Sequence, residues 1–374
     1  MTRRVLLTGA VLALLSSVFA FRASSRMPDF EVYWRSGARA AAAEPLYRTE
    51  DEHYQLKYLP AFAVLAIPAA ALPLPAAKAL WFTASAVLLG AVLALSLGSL
   101  RVRHKPGWLL VTLTLLTMAK FYGHELVLGQ VNLLFVVVIL AALGLLLRTQ
   151  EAASGAMVAL AIVIKPYAII FLPWLFARRA PVALAWAFVG LAAALALPAA
   201  IYGLSGTVSL HQEWWHTVTT STAPNLLNAD NVSLAAMYAK WLGPGPLATR
   251  LTLLTAAALL AAAALVVVRR RGVESPDALE VALLLTLIPL LSPQGWDYVF
   301  LISTPAVMYL INHEAQLPPA IRAGTIAALL VIAFSLYDVL GREAYGTFMA
   351  LSVISVCYLV VVAGLVTLRL RGLA

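Results

Sequence analysis

The 374-residue sequence has a single cysteine, and only 11% of its residues carry charge. Cys357 lies inside an apolar run, so no disulfide framework can form and the redox compartment leaves no mark on the chain. Soluble domains carry about 25% charged residues. A chain this poor in charge cannot cover its apolar surface in water, which excludes a soluble globular protein. There is no Gly-x-x-x-x-Gly-Lys phosphate loop, no zinc-ligand spacing and no Asp-x-Asp motif. Those absences argue against a nucleotide sugar held through a metal, and neither a metal nor a cofactor is expected. Soluble domains, linkers and internal repeats are also missing; the only compositional bias is alanine richness.

What is present is apolar sequence: 62% of the residues are hydrophobic and the mean hydropathy is +0.90. A helix crossing a bilayer needs roughly 20 apolar residues at about 1.5 Å each. Residues 5–21, 79–100, 108–121, 131–147, 181–201, 247–268, 319–338 and 346–368 read as spans or near-spans. Two shorter pairs, 154–165 with 167–177 and 278–291 with 298–311, lie between them. The expected fold is an all-α polytopic membrane protein with about twelve passes. Arg3-Arg4 and the apolar stretch ending Val18-Phe19-Ala20 look like a signal peptide. The segment beyond carries functional candidates, so the first run is read as an uncleaved helix.

Lys and Arg placement sets orientation. With Arg3, Arg4, Arg101, Arg103, Lys105, Arg148, Arg178, Arg179, Arg269, Arg270, Arg271, Arg322, Arg369 and Arg371 inside, that face carries the whole net charge of +9. The basic balance therefore reports orientation among membrane lipids, and no nucleic acid is expected. The same parity requires residues 58–75 to dip in and return or to lie along the surface, as Pro60, Pro68, Pro73 and Pro75 suit. Two outer loops result, 22–78 and 202–246, within one integral membrane domain spanning 1–374.

Polar groups in a bilayer are costly and mark function. Five converge on the outer face: Asp29-Phe30-Glu31-Val32-Tyr33-Trp34, Lys57-Tyr58-Leu59-Pro60, Gly129-Gln130-Val131-Asn132, Lys165-Pro166-Tyr167 and Ser292-Pro293-Gln294-Gly295-Trp296-Asp297. A run as short as 154–165 covers about 18 Å of a roughly 30 Å core, which puts Lys165 below the surface. Irregular backbone at that depth must line a protein cavity. The sequence thus predicts a recessed polar pocket roofed by the two outer loops.

From Asp29 to about Pro305 the chain resembles bacterial membrane glycosyltransferases of family 87, in the GT-C superfamily, which include polyprenyl-phosphate-mannose-dependent mannosyltransferases. The resemblance rests on Asp29–Tyr33, the Tyr58–Pro73 stretch, Gly129–Asn132, Ile164-Lys165-Pro166-Tyr167, Asn231-Val232-Ser233-Leu234 and Leu291–Asp297, in that order and on one face. It implies a GT-C-like helical bundle and an inverting transfer from a polyprenyl-phosphate sugar to a lipid or glycan acceptor. The reaction would occur outside the bacterial cytoplasmic membrane. By that resemblance Asp29 is the base, as suits a carboxylate near an acceptor hydroxyl. Lys165 is the candidate cation for the leaving phosphate. Gln130, Asn132 and Asn231 would hydrogen-bond sugar or phosphate, and Tyr33, Tyr58 and Trp296 would offer aromatic faces. Lys57, Ser292 and Asp297 complete the expected substrate-binding set. Many relatives carry histidine just after the Ser-Pro…Trp motif, where this chain has Asp297-Tyr298.

Each candidate also has a structural reading. Asp29 could cap an interfacial helix, Glu31 or Asp297 could be the base, and Lys165 could snorkel to headgroups. Gln130 and Asn132 could join helices. Trp214, Trp215 and Trp241 read as interface anchors, His124 and Glu125 as a satisfied polar pair, and Glu50-Asp51-Glu52-His53 as a solvated loop. A flippase for a lipid-linked sugar is the alternative function, although such transporters favour repeated halves. A ligase of preassembled glycans would call for a larger arginine-rich outer loop.

Overall fold

The computed structural model describes residues 22, 26–270, 273 and 276–372. The expected first helix at 5–21, Arg271 and Glu274 lie outside the described residues. Among the described residues all regular structure is helical, apart from one isolated bridge between Asn231 and Trp296. This is what a bilayer demands, because a helix satisfies its own backbone groups.

Helix α1 (Pro28–Ala41) is amphipathic, burying Phe30, Val32, Tyr33, Ser36, Gly37 and Ala40. A 3-10 turn at Thr49–Tyr54 leads into α2 (Pro60–Leu65) and α3 (Ile67–Ala70). At about 1.5 Å per residue neither short helix crosses a core of about 30 Å, which fits a segment that dips and returns. Proline opens α1, α2 and α3, where its missing N–H costs nothing. Arg39 pairs with Asp51, so the acidic run at 50–52 is anchored to α1.

Next come α4 (Leu74–Ser99), α5 (Gly107–Leu128) and α6 (Asn132–Leu147), the last two meeting at a bend of 114°. Helix α7 (Glu151–Ile164) stops at Lys165, and a 3-10 turn at Pro166–Ile170 returns the chain through α8 (Phe171–Ala177). Helix α9 (Pro181–Ala196) turns by 90° into α10 (Ala199–Thr220). After α11 (Leu234–Leu242) and α12 (Pro246–Val268), helix α13 (Pro276–Leu291) ends before a second broken return. That return runs through a 3-10 turn at Asp297–Ser303 and α14 (Thr304–His313). The chain closes with α15 (Pro319–Phe334), α16 (Tyr337–Ala350) and α17 (Val353–Leu370).

The two broken pairs expected from short apolar runs are therefore present, with their breaks at Lys165 and at 292–296. Among the described residues three helices, α4, α12 and α17, are long and apolar enough to cross a membrane alone, and up to six spans result if each bent pair counts once. The chain is an all-α membrane protein.

Helices α13 and α14 form the centre: every residue from Asp277 to Leu290 and from Thr304 to His313 is buried. Helix α12 is peripheral, with Leu253, Leu254 and Leu260 exposed, as lipid-facing residues should be. At the end holding the expected inside cations, charges are paired. The buried Arg369 guanidinium donates to Glu280 at 2.9 Å and to the Val266 and Pro276 carbonyls, while Trp174 donates to the other Glu280 oxygen at 2.8 Å. Arg178 and Arg270 hold Asp277, and Lys105 and Arg322 hold Glu314. At the opposite end the segments 22–78 and 202–246 touch: Tyr202 donates to the Glu44 carbonyl and Trp214 to the Lys57 carbonyl.

Candidate active site

The turn between α5 and α6 builds the site. Gly129 adopts a left-handed φ of 73°, and a Cβ there would fall 2.8 Å from the Cβ of Phe30. Only glycine lets α1 lie this close to the turn. The Met27 N–H donates to the Val127 carbonyl at 3.1 Å, and Trp81 donates to the Gly129 carbonyl at 2.9 Å while stacking on Phe30. The start of α1 is thereby fixed against residue 130.

Gln130 is the hub. Its amide nitrogen donates to Asp29 and, at 3.2 Å, to the Tyr298 hydroxyl. Its carbonyl oxygen accepts from Tyr33 at 3.0 Å and Tyr58 at 3.3 Å, and those two hydroxyls lie 2.8 Å apart. Both amide hydrogens and both oxygen lone pairs are thus engaged, so the tyrosines dictate which way the amide faces Asp29. Phe62 stacks on Tyr58 with ring centroids 4.4 Å apart, giving the cradle an aromatic wall.

Two part-buried ammonium groups stand beside it. Lys165 sits at the tip of the α7–α8 return with its Nζ 5.2 Å from the centre of the Tyr58 ring. The charges acting on it are those of Glu125 and Asp29. Lys57 faces the Asp29 charge from the loop before α2, and burial pushes its ammonium below the ordinary lysine value. Among the described residues neither lysine side chain has an ion-pair or hydrogen-bond partner. Glu125 is fully buried and otherwise occupied: it accepts from the Asn132 side chain at 2.8 Å and from the Leu133 N–H at 3.0 Å, capping α6. A carboxylate fixed by an amide, next to unengaged ammoniums and aromatic walls, can accept a proton while an anion is bound alongside.

The remaining candidates fall elsewhere. Glu31 pairs with Lys78 at 3.0 Å and Arg35 at 2.6 Å. Burial would raise its carboxyl, but the two cations outweigh that and hold it below the usual carboxylate range. Asn132 is fully buried against Glu125. Asn231 is fully buried too, its amide donating to the Asn225 and Pro293 carbonyls and its oxygen accepting from the Ser233 N–H. Together with the Asn231–Trp296 bridge, this seals the loop before α11 onto the 292–296 break. The close fit there needs Gly295, whose added Cβ would meet the Pro289 carbonyl oxygen at 2.1 Å. Ser292 is buried and accepts from the Gln294 N–H.

Asp297 is 1% exposed and pairs with the buried Lys120 at 2.8 Å and with His124 at 3.6 Å. His124 and Glu125, expected to satisfy one another, thus turn to different partners. They sit about 100° apart around α5, so adjacent side chains serve two different centres. The sequence reading missed Lys120, Tyr298, Trp81 and the capping role of Glu125. For Lys120 a signal existed: a lysine within an apolar helix demands a partner, and His124 lies one turn on along the same face. Trp214 is turned to Lys57, whereas Trp215 remains exposed.

No curated protein and no solved structure matches the chain. The sequence profile of glycosyltransferase family 87 does, over residues 56–293. This stretch takes in Lys57, Tyr58, Gln130, Lys165 and the sealed loop at Asn231; Trp296 and Asp297 lie just beyond its end, and Asp29 and Tyr33 lie well before its start. With more than half of its length matched, and with polar groups gathered at one end of a helical membrane body, the chain belongs to glycosyltransferase family 87 and is a transferase.

Proposed function

We propose that this protein transfers a hexosyl group, mannose first among the candidates, from a polyprenyl-phosphate donor to a hydroxyl of a lipid or glycan acceptor. The reaction inverts the anomeric centre and takes place at the outer face of a bacterial cytoplasmic membrane. The body is a GT-C-like bundle of about twelve passes with the segments 22–78 and 202–246 over the pocket. The observation that carries this reading is the placing of a held carboxylate, Asp29, beside two ammoniums, Lys57 and Lys165, that form no ion pair or hydrogen bond among the described residues.

Asp29 takes the acceptor proton as the hydroxyl oxygen attacks the anomeric carbon. The bond from that carbon to the phosphate oxygen breaks, and the electron pair leaves with the polyprenyl phosphate. Lys165 and Lys57 bind the phosphate, and Lys165 stabilises the growing charge in surroundings where an ammonium acts more strongly than in water. Tyr33, Tyr58 and Trp296 flank the sugar and the prenyl chain. Gln130 aims Asp29, while Asn132, Asn231, Ser292 and Asp297 hold the walls that place these groups.

The test supplies the full-length protein in vesicles with labelled polyprenyl-phosphate mannose, glucose and arabinofuranose in turn. The expected result is sugar transfer from one donor with free polyprenyl phosphate released in equal amount. Movement of intact lipid-linked sugar across the bilayer, with no free polyprenyl phosphate, would show a flippase instead.

A further inference from the structure

Next to the Asp29 centre lies a second one, joined to it at adjacent residues. Tyr298 meets Gln130 in the first, while Asp297 forms the floor of the second. Lys120 and His124, one turn apart on α5, both reach Asp297. The charged groups here divide into engaged and open ones. Lys120 is buried against Asp297 and lies 4.8 Å from the centre of the Tyr345 ring. Lys240 is occupied by the carbonyls of Ala229, Asn231 and Met349. Two groups keep an exposed side: the His124 imidazole, whose Nδ1 faces Asp297 at 3.6 Å while 45% of the side chain stays exposed, and the exposed Asp230 carboxylate, whose charged neighbours include His124 and Asp297. The Asp297 N–H donates to the Asp230 carbonyl at 3.0 Å, so floor and rim are one piece.

This arrangement differs in kind from the first centre. There the ammoniums are unengaged and suited to phosphate; here both lysines are taken, and the free surface offers an imidazole and a carboxylate. Such a pair matches the hydroxyl groups of an uncharged sugar, which donate to a carboxylate and exchange hydrogen bonds with imidazole. We propose that His124 and Asp230, over the Lys120–Asp297 floor, form the subsite for the acceptor, and that its ligand is an uncharged polyol or glycoside. This rests on the transferase reading above only in naming the ligand the acceptor; the binding chemistry stands on its own.

The test measures affinities on the full chain in nanodiscs. The probes are methyl disaccharides of mannose, glucose and arabinofuranose, and separately undecaprenyl phosphate. His124→Gln and Asp230→Ala are expected to weaken disaccharide binding about tenfold, as the loss of a hydrogen bond to a polar or charged group predicts. Their undecaprenyl phosphate affinity and thermal midpoint should stay at wild-type values, while Lys165→Met should weaken only undecaprenyl phosphate. Asp230 is exposed, so its variant keeps the fold if His124→Gln does not. Three results overturn the inference: no disaccharide binding by wild type, unchanged disaccharide affinity in both variants, or loss of undecaprenyl phosphate affinity instead. Wild-type binding of disaccharide without undecaprenyl phosphate would overturn the donor assignment and leave this subsite standing.

Discussion

The two ends of the molecule treat charge in opposite ways. At the basic end the buried Arg369, Glu280 and Asp277 are satisfied by named partners, down to the Trp174 N–H that fills the second Glu280 oxygen. At the other end Lys57 and Lys165 stand part-buried beside Asp29 with no ion-pair or hydrogen-bond partner for either ammonium among the described residues, Lys165 facing only the Tyr58 ring. Burying a charge is costly. A paired charge recovers that cost within the fold. An unpaired one keeps it until a ligand arrives, and so points to binding.

The comparison can be broken by exchanging what each end does. Glu280→Ala takes away the carboxylate that neutralises the buried Arg369, and a loss of roughly 3–5 kcal/mol of stability is expected. Thermal unfolding in nanodiscs should show it, while activity per folded molecule stays at the wild-type level. Lys165→Met should do the reverse, leaving the unfolding midpoint in place and lowering the transfer rate about 10²–10³-fold, as for other preorganised charge-stabilising groups. If both variants lost stability alike, Lys165 would belong with the structural charges.

Gln130→Leu removes the amide hydrogen bond to Asp29 and leaves the carboxylate in place. Its transfer rate should fall about tenfold, the equivalent of one hydrogen bond of about 1.4 kcal/mol, with KM for the donor nearly unchanged. The smallest effect comes from a paired charge at the polar end. The Arg39 guanidinium hydrogen-bonded to Asp51 holds that carboxyl below the usual aspartate range. A lowered folded-state value means the stabilisation is complete above the unfolded value near 3.9 and is lost as pH falls below it. The contribution is about 1 kcal/mol or less. Comparing unfolding midpoints of wild type and Asp51→Asn should show a difference at pH 7 that closes below about pH 4.

Much of this division could be read from the sequence, for physical reasons. Runs too short to cross a bilayer, each followed by a proline, located the breaks at Lys165-Pro166 and Ser292-Pro293. Gly129, next to polar residues between two apolar runs, marked the turn. These are local signals, and the structure brings Asp29, Tyr33, Tyr58, Gln130 and Lys165 together around them. Long-range pairing was not legible. Asp297 read as a pocket residue because its position follows a motif, yet its partner Lys120 comes from α5 and buries it. Asn231 read as a hydrogen-bond partner for sugar or phosphate; in the fold its amide holds backbone carbonyls on two loops. A polar residue's chemistry is written in its type; whether it meets substrate or its own fold depends on contacts between distant segments.

The central claim is that the held carboxylate beside unengaged cations does the chemistry, and its near neighbour Glu31 is the natural control. Glu31 lies two residues away on the same helix, with both oxygens taken by Lys78 and Arg35. The decisive measurement compares sugar transfer by Asp29→Asn and Glu31→Gln, matched for folded protein in the membrane. The account predicts that Asp29→Asn loses about 10²–10⁴-fold, the usual worth of a general base, while Glu31→Gln stays within a few-fold of wild type. Equal rates for Asp29→Asn and wild type, or the larger loss in Glu31→Gln, would contradict it.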